Sequence, residues 1–62
     1  MIVSSTVTQE GDVQVDGRRW VTEHHTSDDG STTAFTYLAD AGLDVQAVAN
    51  ERAQAMNGAD NG

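Results

Sequence analysis

Sixty-two residues without a cysteine allow one small domain and exclude any disulfide or thiolate metal site to brace it. Three cations against ten carboxylates give a formal charge of −7, which disfavours direct binding to nucleic acid or to an anionic membrane. Only 37% of residues are apolar and 5% aromatic, a poor balance for a lone monomer that loses roughly 1.5 kcal/mol per residue on ordering.

The first ten residues, MIVSSTVTQE, show no basic flank ahead of an apolar run, and no stretch approaches the ~20 apolar residues of a membrane span. A soluble protein made inside a cell is the default expectation. Residues 2–9 alternate weakly and are rich in Val, Ser and Thr, which predicts a long edge strand. Ile2, Val3 and Val7 are its candidate interface residues, because the main-chain groups of an edge must pair with something.

Gly11-Asp12 and Asp16-Gly17 are turn signals, and Val13-Gln14-Val15 between them reads as a loop or a brief strand. Arg18 and Arg19 then point to opposite faces, one to meet carboxylates and the other to face solvent, as ordinary charge balance in an acidic chain.

Residues 18–39 form the centre of the chain: two β-branched and aromatic runs either side of Asp28-Asp29-Gly30, holding all three aromatics, Trp20, Phe35 and Tyr37. This predicts a β-hairpin. A tight Asp29-Gly30 turn sets Trp20 opposite Ala39 and His24 opposite Phe35, so the aromatics share one face. A four-residue loop keeps that parity; a three-residue loop shifts it by one and separates Trp20 from Phe35 and Tyr37. The first register is preferred because it gathers the scarce large apolar groups.

Asp44 is placed to N-cap a helix over residues 45–56, with a Leu43–Val48 staple at its entry. Val45, Val48, Ala49, Ala53 and Met56 make one modest apolar stripe, with Arg52 at its border. Asn57-Gly58 reads as the stop and residues 59–62 as a disordered tail, leaving a single domain over 1–58. Such a helix is marginal alone and must dock, with the aromatic face of the hairpin the nearest surface.

No constellation of reactive groups stands out. His24 and His25 are adjacent in a strand and point apart, so they cannot converge on one metal ion. Asp28-Asp29-Gly30 lacks the alternating carboxylates and closing glutamate of a calcium loop, and none of the serines sits in a nucleophile elbow. Trp20 and Tyr37 suit a core better than a ligand platform. No catalytic residue, cofactor, metal or small-molecule substrate is expected.

The runs VDGRRWVTEHHT and TYLADAGLDVQAVANERAQAM, spanning residues 15–56 with the turn between them, carry a resemblance over about two-thirds of the chain. Through Asp16-Gly17-Arg18-Arg19-Trp20-Val21, Tyr37-Leu38-Ala39, Asp44 and Arg52-Ala53 it resembles small structural proteins encoded among the virion genes of tailed double-stranded DNA bacteriophages. These are structural cues that specify no chemistry. The resemblance implies a virion component of the tail, baseplate or neck region, made in the host cytoplasm, whose partners are other virion proteins or copies of itself.

The expected fold is α+β, an antiparallel sheet of about three strands with one C-terminal helix packed across it. The expected function is a non-enzymatic subunit that completes its core against neighbours through Ile2, Val3, Val7, Trp20, Phe35, Tyr37, Val45, Val48 and Met56. The alternative is an acidic inhibitor of a basic nucleic-acid groove on a host protein, with Asp12, Asp16, Asp28, Asp29, Asp40 and Asp44 gathered along one sheet edge.

Overall fold

Strands β1 (Ile2–Glu10), β2 (Arg19–Ser27) and β3 (Thr32–Ala39) precede one helix, α1 (Val45–Asn61). A computed structural model describes the backbone of residues 1–61 and the side chains up to residue 59. The strands form one antiparallel sheet in the order β1-β2-β3, and α1 lies on one face of it, chiefly over β1. The α+β class expected from the sequence is the class observed.

The hairpin register differs from the preferred one. Trp20 pairs with Leu38, Glu23 with Phe35 and Thr26 with Thr32, the parity of a three-residue loop. Local chemistry selects that loop. Gly30 takes φ 88° and donates its N–H to Ser27 O at 3.0 Å, while Asp29 Oδ1 accepts from Ser31 N at 2.9 Å and Ser31 Oγ at 2.7 Å. This is the three-residue hairpin with a left-handed glycine that closes on a bulge. Its parity turns Val21, Glu23 and His25 inward, along with Phe35 and Tyr37, and leaves Trp20 on the opposite face. The aromatics therefore do not share a face, and Trp20 does not anchor the helix.

Residues 11–18 form a loop rather than a strand, closed by Gln14 N to Arg18 O at 2.8 Å and Gly17 N to Gln14 O at 2.9 Å. Arg18 pairs with Asp16 at 2.7 Å. Among the described residues Arg19 meets no carboxylate: its guanidinium donates to the carbonyl oxygens of Asp40 and Leu43, at 3.5 and 3.0 Å, and so ties the β3–α1 connector to the sheet.

Asp44 caps α1 through Ala47 N at 3.2 Å, as its position predicts. The helix does not stop at Asn57-Gly58 but continues to Asn61, and Gly58 is not among the glycines with positive φ. Asn57 is committed elsewhere. Its side-chain amide accepts from Ile2 N at 2.6 Å and donates to Ile2 O at 3.1 Å, taking the place of one residue of a neighbouring strand. Of the predicted tail, residues 59–61 are helical; Gly62 lies outside the described residues.

The molecule is a thin slab, 41 × 19 × 12 Å. Among the described residues only Val21, Ala39 and Ala49 are fully buried apolar groups; Glu23 and His25 are enclosed with them on the helix side, and Thr22 is buried on the other face. The enclosed polar groups each require a partner.

Candidate protein-binding surface

The interior is organised by a hydrogen-bonded line across the sheet. Ser5, Val7, Glu23, His25, Phe35 and Tyr37 come to the helix side because β1 pairs Ser5 with His25 and Val7 with Glu23, while β3 pairs Phe35 with Glu23. His25 Nε2 lies 2.8 Å from Glu23 Oε1, and His25 Nδ1 lies 2.8 Å from Ser5 Oγ. A carboxylate can only accept, so Nε2 carries the proton. In the neutral ring Nδ1 then receives the Ser5 hydroxyl. Arg52 descends from α1, donating Nε to Glu23 Oε1 at 2.7 Å and Nη2 to Oε2 at 3.4 Å. Its guanidinium also stands 5.0 Å above the Phe35 ring, and His25 meets Phe35 edge-on at 5.8 Å.

Burial pushes the Glu23 carboxyl up, but the bonds from Arg52 and His25 more than offset it, and the group ends below the ordinary carboxylate range. Tyr37 shifts the other way. Burial, reinforced by the nearby Glu23 carboxylate, raises its phenol.

Ser5, His25 and Glu23 follow the order of groups in a hydrolytic relay. The geometry suits positioning instead. His25 has no exposed surface, so a leaving group cannot reach its ring to collect a proton, and Glu23 is already shared with Arg52. The line locks strand register and seats the helix. His24, on the other face, is exposed and meets Thr8 Oγ1 at 3.3 Å. Among the described residues no three His, Asp or Glu side chains converge on a metal position.

The outside of the molecule has the opposite character at one end. The β1–β2 loop, the start of β2, the end of β3 and the β3–α1 connector all lie at the end of the sheet away from the hairpin turn. Of six exposed large apolar side chains among the described residues, four belong to that end: Val13, Val15, Trp20 and Leu43. Val15 is fully exposed and Trp20 is 45% exposed. Gly17 packs close enough to Ala41 that an added Cβ would come to 2.9 Å, so loop and connector form one continuous surface.

The nine residues singled out from the sequence are distributed over three places. Val7, Phe35, Tyr37, Val45, Val48 and Met56 are half-buried in the layer between sheet and helix. Ile2 and Val3 line a shallow groove beside α1, with Ser5, Asn50, Ala53 and Gln54. Trp20 alone lies on the uncovered face. Sequence reasoning missed Glu23, His25 and Arg52 as the organising group. The sequence shows only that Glu23 and His25, two apart, share a strand face; their enclosure and the answering charge of Arg52 come from the fold.

No protein-family model, curated protein or solved structure matches this chain.

Proposed function

We propose that the chain is a non-enzymatic structural subunit that completes its core against neighbouring proteins, and that its assembly is the virion of a tailed bacteriophage, in the tail, baseplate or neck region. One observation supports the docking role: exposed Val13, Val15, Trp20 and Leu43 collect at a single end of a molecule whose sealed apolar interior is three small side chains. Clustered exposed apolar groups on so small a domain mark a protein-contact surface. The virion setting rests on the sequence resemblance. The acidic turns divide between the two ends of the sheet, Asp28 and Asp29 at one and Asp12, Asp16, Asp40 and Asp44 at the other, an arrangement less suited to mimicking a continuous nucleic-acid backbone.

Mass spectrometry of purified particles from the source tests the setting, and cross-linking inside those particles tests the surface. Cross-links from residues 13–20 to a second protein are expected. A chain that is absent from particles, and that stays monomeric beside every protein made with it, would overturn the proposal.

A further inference from the structure

The two edges of the sheet are treated differently. On β1 the outward main-chain groups are partly occupied: Asn57 clasps both groups of Ile2, Gln46 donates to Ser5 O at 3.0 Å, and a bulge interrupts the strand between Ile2 and Ser4. These are the usual protections of an exposed edge. On β3 there are none. Its sequence, TTAFTYLA, holds no charge, proline or glycine, and no bulge breaks its register.

The outward groups of β3 can be assigned from the ladder. Ser27 N donates to Ser31 O at 2.8 Å, so that pair is hydrogen-bonded. Bonded and non-bonded pairs alternate along an antiparallel ladder, so Thr33, Phe35, Tyr37 and Ala39 bond to β2. The N–H and C=O groups of Thr32, Ala34, Thr36 and Leu38 face away from the sheet, and among the described residues no hydrogen bond reaches them.

Charge selects the occupant. Asp29 stands at one end of β3 and Asp40 at the other, while Asp28 turns to the Met1 ammonium, 3.3 Å away on the β1 side. A second copy would place acid beside acid in either strand orientation, on chains that each carry −7. We infer that β3 accepts an extended, uncharged, β-branched segment of a different protein, flanked at both ends by Lys or Arg, as a fourth strand of the sheet. Main-chain hydrogen bonds hold such a strand, and the flanking cations meet the aspartates and set its position. This rests on the docking role proposed above and adds a second contact surface, the β3 edge, separate from the apolar end.

The test is titration of the isotope-labelled full chain with a synthetic Thr-Val peptide the length of β3, bearing two lysines at each end, and with its glutamate-flanked counterpart. The basic peptide should shift the amide signals of Thr32, Ala34, Thr36 and Leu38 and slow their exchange. It should bind about tenfold more tightly than the acidic one at low salt, with the difference shrinking as salt rises. Ala34→Pro removes one outward donor without touching the ladder to β2 and should abolish the shifts. Asp40→Lys, at an exposed position, should weaken the preference for the basic peptide even if the proline variant fails to fold.

Equal affinity for the two peptides, or no change at the four amides, overturns the inference. Shifts confined to Val13, Val15 and Trp20 would overturn it while leaving the apolar docking end intact. A dimer of the full chain that Ala34→Pro dissociates would show a second copy on the edge and overturn it too.

Discussion

Glu23 and Arg52, 29 residues apart in the chain, meet at 2.7 Å across the gap between sheet and helix, with the carboxylate fully enclosed and the arginine side chain 39% exposed. The pair joins α1 to the central strand at a point where apolar packing is thin. Arg52→Met leaves an enclosed carboxylate with His25 as its remaining partner. Truncating a fully buried pair costs ~3–5 kcal/mol. The exposure of Arg52 discounts this, so urea denaturation should show a loss of about 1–3 kcal/mol. The double variant Glu23→Leu/Arg52→Met should recover most of it, because neither charge is then stranded.

The same carboxylate predicts an acid limb. The folded-state pKa of Glu23 is depressed below its ordinary value of 4.5. Its contribution is therefore complete above that value and lost as pH falls through the folded pKa. Stability measured from neutral pH downward should drop below about pH 4.5. In Glu23→Gln the curve should be flatter across that window, from a lower starting point. An unchanged slope would show that Glu23 is not the group responsible.

Tyr37 gives the opposite limb. Its phenol is raised above 10.0, chiefly by burial, so the stabilising difference is present below that pH and is lost as pH rises through the folded pKa. It is the only tyrosine, so its ultraviolet absorbance titration is free of overlap from others. The folded protein should ionise at higher pH than the chain in urea, and Glu23→Gln should move the folded curve downward.

Asn57 links the end of α1 to the start of β1 through both main-chain groups of Ile2. Asn57→Ala improves helix propensity locally and removes the clasp. Global stability should fall by only about 1 kcal/mol. Hydrogen exchange at Ile2 and its neighbours in β1 should accelerate much more than exchange in β2. Equal effects on both strands would count against a local clasp.

Gly17 combines φ 87° with an added Cβ that would come to 2.9 Å from Ala41 Cβ. Gly17→Ala should cost about 1–3 kcal/mol and displace the connector. Gly11→Ala is the control: φ is similar at 77°, but the space is open, so its thermal shift should be smaller.

Local patterning in the sequence determined the element order, the α+β class, the Asp44 cap, the edge position of β1 and the opposed directions of His24 and His25. Each follows from neighbours in the chain: β-branched runs, turn glycines, the strand period of two and helical spacing. The tertiary structure decided the rest. One residue of loop length, set by how Asp29 and Gly30 close the turn, exchanged the faces of the hairpin and sent Trp20 outward. The enclosed Glu23 and His25 look like surface residues in the sequence, because the charge that makes their burial tolerable comes from Arg52 on a distant helix. Asn57 looks like a helix stop because the Ile2 backbone it serves lies 55 residues away. Parity and long-range pairing are properties of the assembled molecule: a slip of one position costs little in local preference, yet it reverses what every side chain on the strand faces.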